Sequence, residues 1–151
     1  MNTNIKLQDW GVAILRVAVG IIFLMHGGQK LFVYGLRGFE GALAHMGLPT
    51  FLAPIVMAIE FLGGAALVLG AGTRIAAAAI AMNMLGAIFL VHLKNGFFLP
   101  TGFEYAFAMF ASNAALVLTG AGAAAVDTWL AHRKSQHMIG SIPALTYNHS
   151  R

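Results

Sequence analysis

The residues of this chain that could do chemistry are the few ionisable ones that interrupt its long apolar stretches. Arg16, His26 and Lys30 stand between Gly11 and Val33, and Glu60 stands between Thr50 and Leu69. An ionisable group held in hydrocarbon costs about 2.5–3.5 kcal/mol on insertion scales, so such groups face a bundle interior or a wet cavity. At about 100° per residue, Arg16, His26 and Lys30 fall on one helix face roughly 80° wide, with His26 and Lys30 one turn apart. That face is a polar seam able to bind a ligand, pair with other charges or pass protons. Lys30 also has an ordinary reading, in which its stem lies along apolar surface and its ammonium reaches the headgroups.

Glu60 follows Thr50 by ten residues, which sets it about 15 Å deep, near mid-membrane. Its carboxyl either takes part in a structural contact, with Arg16, Asn83 or Asn113, or exchanges protons with a bound redox ligand. Arg16 has the longer reach and stays charged, so the helix arithmetic predicts an Arg16–Glu60 contact. His26, Lys30, His92 and Glu104 then form a second, shallower polar site at the non-cytoplasmic end. In this reading Glu60 and His26 are the candidate catalytic residues, and Arg16, Lys30, His92 and Glu104 the candidate ligand-binding residues. Phe23, Phe32, Phe97, Phe98 and Phe103 are candidates to line an apolar pocket around them. Asn83 and His92 are nine residues apart, hence on opposite sides of a straight helix, so Asn83 should point away from His92. Glu104 also has a local role available, because Thr101-Gly102-Phe103-Glu104 matches a capping box.

Several chemistries are excluded or disfavoured. The chain has no cysteine, which removes disulfides, thiolate metal sites and dithiol redox chemistry. A Glu-x-x-His pair for a di-iron centre is missing, and no metal site is expected. His26 and His92 lie at similar depth, as a haem clamp would require, but no other haem-supporting feature accompanies them. Serine-hydrolase and phosphate-loop motifs are absent, and no basic block interleaved with aromatics points to nucleic acid.

The elements that must position these residues are membrane helices. Hydrophobic residues make up 59% of the chain and charged residues 9%, against roughly 45–50% and about 25% in soluble domains. Uncharged runs cover Gly41–Ile59, Ile75–Leu93 and Tyr105–Val126, and a span needs about 20 residues. With the first segment they predict an all-α, four-helix transmembrane bundle over residues 1–131. Its spans fall at about 10–33, 50–70, 73–93 and 103–121, joined by short loops, and a polar C-terminal tail occupies 132–151. The loop Tyr34–Pro49 should contain a short re-entrant or interfacial turn around Phe39–Met46, where FEGALAHM has helix-like spacing. Small residues such as Gly63, Gly64 and Ala76–Ala79 read as close-packing surfaces. The first segment reads as a retained helix rather than a signal peptide, since Arg16 interrupts it and no A-x-A-like cleavage site follows. Lys6, Arg74, Arg133 and Lys134 against Lys30, Arg37 and Lys94 favour both termini in the cytoplasm.

The runs LRVAVGIIFLMHGGQKLF (Leu15–Phe32), GLPT (Gly47–Thr50) and IEFLGGAALVLGAGTR (Ile59–Arg74) resemble the DoxX family. VHLKNGFF (Val91–Phe98) and FEYAFAMFASNAALVLTGAG (Phe103–Gly122) continue the likeness, which covers roughly Asp9 to Asp127. The resemblance implies a four-helix inner-membrane protein, a small subunit tied to quinone-linked oxidation or to thiol and quinone stress. It implies a quinone or quinol as ligand and other membrane subunits as partners, and lends weight to Arg16, His26, Lys30, Glu60, Arg74, His92 and Glu104. The competing expectation is a non-catalytic subunit that anchors or stabilises a larger complex. Ala123-Ala124-Ala125, before Asp127, and the longer tail depart from the family pattern.

Overall fold

In the computed structural model, which describes residues 3–131 and Arg133, every long element is a helix and no strand occurs among the described residues. Helix α1 spans Thr3–Gly28, runs through a wide π-type segment, Gln29–Tyr34, and continues as α2, Gly35–His45. Helix α3 is Leu52–Leu69. Helix α4 is Thr73–Ala87, extended by a second π-type segment, Ile88–His92, and a short 3-10 turn, Leu93–Asn95. Helix α5 is Glu104–Thr119.

Three helical stretches, Lys6–His45, Leu52–Leu69 and Thr73–Asn95, are long and apolar enough to cross a membrane. The fourth expected span is the 16-residue α5, about 24 Å long, and it packs against α4. The expected loop after the first span is mostly helix. Phe39, Leu43 and Met46 repeat at helical spacing on one face, Leu43 is buried, and that apolar stripe is what holds α2 against the bundle. Gly35 bends the path into α2 at φ +67°, a conformation that costs glycine least.

The bundle is built from two close pairs, α1 on α3 and α4 on α5, which meet around Val19, Phe23, Leu67, Ile80, Met84 and Leu116. Glycine sets the first contact. A Cβ on Gly20 would lie 2.8 Å from the Val68 nitrogen and 3.0 Å from the Gly64 oxygen. In lipid, where apolar side chains gain little by leaving the solvent, such backbone approach drives helix packing. Gly20→Val is therefore expected to destabilise the bundle by about 2 kcal/mol through overpacking. Equilibrium unfolding in mixed micelles would check this, and a wild-type transition would count against glycine-mediated α1–α3 packing.

Candidate functional site

A cavity of about 550 Å³ lies between the two helix pairs, and Phe39 and Leu43 of α2, with Met46 just beyond its end, form one of its walls. Its lining is mainly aliphatic and aromatic. The polar groups are His26 and Lys30 from the first helical stretch, Glu60 from α3, Asn83 and His92 from the α4 stretch, and Tyr105 from α5.

At its centre the Lys30 ammonium forms an ion pair with Glu60 Oε2. Asn83 Nδ2 donates to the other carboxylate oxygen, Oε1, at 3.2 Å. The ammonium also sits 5.4 Å from the centre of the Phe39 ring, a favourable cation–π placement. Glu60 is thus satisfied on both oxygens inside an otherwise apolar bundle, as a buried charge requires.

The two π-type segments explain why these groups converge. Lys30 lies in the first and His92 ends the second. A π turn holds more residues than an α turn, so it rotates the side chains beyond it around the helix axis. His92 thereby joins Asn83 on the cavity wall. The expectation that the two diverge fails because the helix between them is not a regular α-helix. His26 Nδ1 bonds to the Ile22 carbonyl at 2.9 Å, and its ring centre is 6.1 Å from that of Tyr105. His92 Nδ1 bonds to the Thr101 carbonyl at 3.0 Å. That oxygen also accepts from Asn95 Nδ2 at 3.2 Å.

Arg16 is elsewhere, and the predicted Arg16–Glu60 contact does not form. Arg16 is 1% exposed, and its guanidinium reaches Leu67 O at 2.5 Å and Val68 O at 3.0 Å through Nη1. Its Nε donates to Ala121 O at 2.9 Å, and Nη2 to Ala123 O at 3.3 Å and Ala124 O at 3.1 Å. The physical reason is a set of carbonyls at the end of α3 and in the 121–124 segment after α5, where helical partners run out; Leu67 O, which also accepts from the Gly70 N–H at 3.2 Å, is the exception. They attract a cation and accept its five-donor fork. Leu67 is seven residues beyond Glu60, about 10 Å along the helix.

Glu104 also departs from expectation. It does not line the cavity; its Oε2 accepts from the Leu99 N–H at 3.4 Å. The capping box does not form, because α5 starts at Glu104 itself with Phe103 at the cap position and no side-chain cap bond. Of the five phenylalanines expected around a pocket, Phe23 lines it. Phe32 is 75% exposed and stacks edge-on against Phe61. Phe97 packs edge-on against both Phe98 and Phe103 before α5. Their places are taken by Phe39 and Tyr105, which carry no local sequence signal beyond helical spacing. Asn113 is fully buried in α5, with Nδ2 donating to Met109 O at 2.8 Å. Arg74 reaches Leu118 O at 3.3 Å, outside the cavity.

Asp127 is a further structural residue that the sequence alone did not single out. Its oxygens accept from Gly72 N at 2.7 Å and Thr73 N at 2.9 Å, capping α4 from a distant part of the chain. Burial alone would raise its carboxyl pKa. The backbone N–H groups of Thr73 and Gly72 and the nearby Arg16 charge outweigh that effect and hold it below its ordinary value. A depressed carboxyl pKa contributes stability above the unfolded-state value, and that stability disappears as pH falls through the folded-state value. Asp127→Ala is expected to cost about 1 kcal/mol at neutral pH and to flatten the loss of stability below about pH 4. Unfolding measured from pH 7 to pH 3 would test both; an unchanged acid limb in the variant would refute the assignment. Of the expected tail 132–151, only Arg133 lies within the described residues, its guanidinium 4.0 Å from the Trp129 ring centre.

Residues 11–93 match the profile of the DoxX family. CatD of Bacillus subtilis, a protein provisionally named an oxidoreductase, is 36% identical over 130 residues, covering 86% of this chain and 92% of CatD. The inner membrane protein YqjF of Escherichia coli is 37% identical over 87 residues, 58% of this chain and 65% of YqjF. An uncharacterised protein of Haemophilus influenzae is 35% identical over 133 residues, 84% of this chain and 96% of that protein. No solved structure matches the chain.

Proposed function

This chain belongs to the DoxX family of membrane proteins, and from that premise we propose that it binds the head of a quinone-type lipid in the cavity between its helix pairs. The observation that carries the reading is the cavity itself. About 550 Å³ of mainly apolar space contains a few convergent polar groups around the Lys30–Glu60–Asn83 cluster. Ligand sites for lipophilic molecules have that composition and size. An apolar wall excludes water from a ring and tail, while His26, His92 and Tyr105 offer hydrogen bonds to ring oxygens. Lys30 and Glu60 set the charge at the inner end. The oxidoreductase name of CatD agrees with a role as a small membrane subunit of quinone-linked oxidoreduction. The electrons would then be supplied and taken up by partner subunits. With YqjF as an inner-membrane relative, the same membrane is the proposed location, both termini on the cytoplasmic side.

Photo-crosslinking with an azidoquinone in reconstituted vesicles tests the binding. The label should map to cavity-lining peptides, fall with excess unlabelled quinone and drop severalfold when Lys30→Met and Glu60→Leu are combined. Labelling that excess quinone does not displace would refute the site. In that event, a partner retained in mild detergent would support the anchoring role instead.

A further inference from the structure

The hydrogen-bond roles of the two cavity histidines carry information about the ligand that its size and polarity do not. A backbone carbonyl can only accept, so the Nδ1 atoms bonded to Ile22 O and Thr101 O must carry protons. In a neutral imidazole the other nitrogen, Nε2, is then a bare acceptor. Among the described residues neither Nε2 has a partner, and both rings line the cavity. The Lys30 ammonium and Asn83 Nδ2 are each held at the Glu60 carboxylate through one N–H, so the two histidine acceptors are the polar atoms of the cavity that only a donor can satisfy. Tyr105 offers a hydroxyl that serves either way.

Resting on the quinone-site reading above, we propose that the cavity prefers the reduced, hydroxyl-bearing form of its ligand, which donates O–H hydrogen bonds to Nε2 of His26 and Nε2 of His92. A quinone carbonyl has no proton to give these atoms. It would leave two acceptors facing its oxygens, and an unmet polar pair costs more than a missing contact. The two histidines come from different helix pairs, α1–α3 and α4–α5. A ligand with a hydroxyl at each end of its ring therefore bridges the halves of the bundle.

The test is calorimetric titration of the full chain in lipid nanodiscs, under anaerobic conditions, with durohydroquinone and with duroquinone. The hydroquinone should bind about tenfold more tightly. His26→Phe and His92→Phe remove an acceptor while keeping a ring. Neither residue is in the buried core, so both variants should keep the wild-type melting transition. Each should weaken the hydroquinone about five- to tenfold and leave duroquinone affinity unchanged. Equal or tighter binding of duroquinone overturns this preference while leaving the quinone site standing. So do histidine variants that weaken both forms alike. Binding of neither form, together with failed azidoquinone labelling, overturns the site and the preference with it.

Discussion

Replacing Lys30 by methionine is expected to destabilise the folded bundle by about 3–5 kcal/mol, the usual cost of removing one partner of a buried ion pair. The Lys30 and Glu60 side chains are 18% and 6% exposed, so water cannot fully replace the lost ammonium. Asn83 would remain as the neighbour of an uncompensated carboxylate. The same reasoning makes the effect non-additive. Lys30→Met combined with Glu60→Leu removes both charges, and the double variant should recover most of the loss, because a buried pair contributes little net stability over an apolar replacement. Denaturant titration in mixed micelles of the wild type, both single variants and the double variant would measure this cycle. Additive single effects would mean that the two charges do not interact in the membrane. The double variant should also lose azidoquinone labelling while remaining folded, which separates the cluster's role in the cavity from its role in stability.

Arg16→Met should be of similar size, a loss of about 3–5 kcal/mol, for a different reason. Removing the guanidinium leaves carbonyls of Val68, Ala121, Ala123 and Ala124 without that donor, while Leu67 O keeps the Gly70 N–H, and each orphaned buried polar group costs about 1–3 kcal/mol before relaxation and water entry. Arg16→Lys should restore only part of the loss. An ammonium is a compact donor on a flexible stem and cannot span both the α3 terminus and the 121–124 segment as the planar fork does. Unfolding midpoints of the three proteins test the order wild type, lysine, methionine. Ligand affinity of the folded fraction is the second readout. Arg16 lies outside the cavity, so affinity should be unchanged, whereas a ligand-binding arginine would lose it.

The contrast between Arg16 and Lys30 marks where sequence reasoning reached and where it stopped. Periodicity set Arg16, His26 and Lys30 on one helix face, and Glu60 meets Lys30, but depth counting put Glu60 at the level of Arg16, whose partners lie seven and eight residues further along α3. Choosing the partner of Glu60 required knowing where unpaired carbonyls gather. Those belong to the end of α3 and to a loop more than 100 residues from Arg16 in the chain. Arg16 went to the carbonyls because its fork satisfies several at once, and Lys30 was left for the carboxylate. Likewise, the 180° separation of Asn83 and His92 is sound arithmetic for an α-helix. The π-type turn at Ile88–His92 changes it, and no residue in that segment announces such a turn.

What the sequence determined by itself is the class of molecule and the inventory of its chemistry. Apolar runs of bilayer length can satisfy their backbone in hydrocarbon only as helices, glycines between them permit close pairing, and the absence of cysteine removes thiol chemistry. These properties are local, fixed by composition and by periods of a few residues. The tertiary structure decided which ionisable groups meet, that α2 walls the cavity, that Glu104 stays outside it and that Asp127 caps α4 from afar. Those outcomes depend on which unsatisfied carbonyls, N–H groups and charges come within hydrogen-bond reach once the helices pack, and that reach is set by contacts between residues distant in the chain.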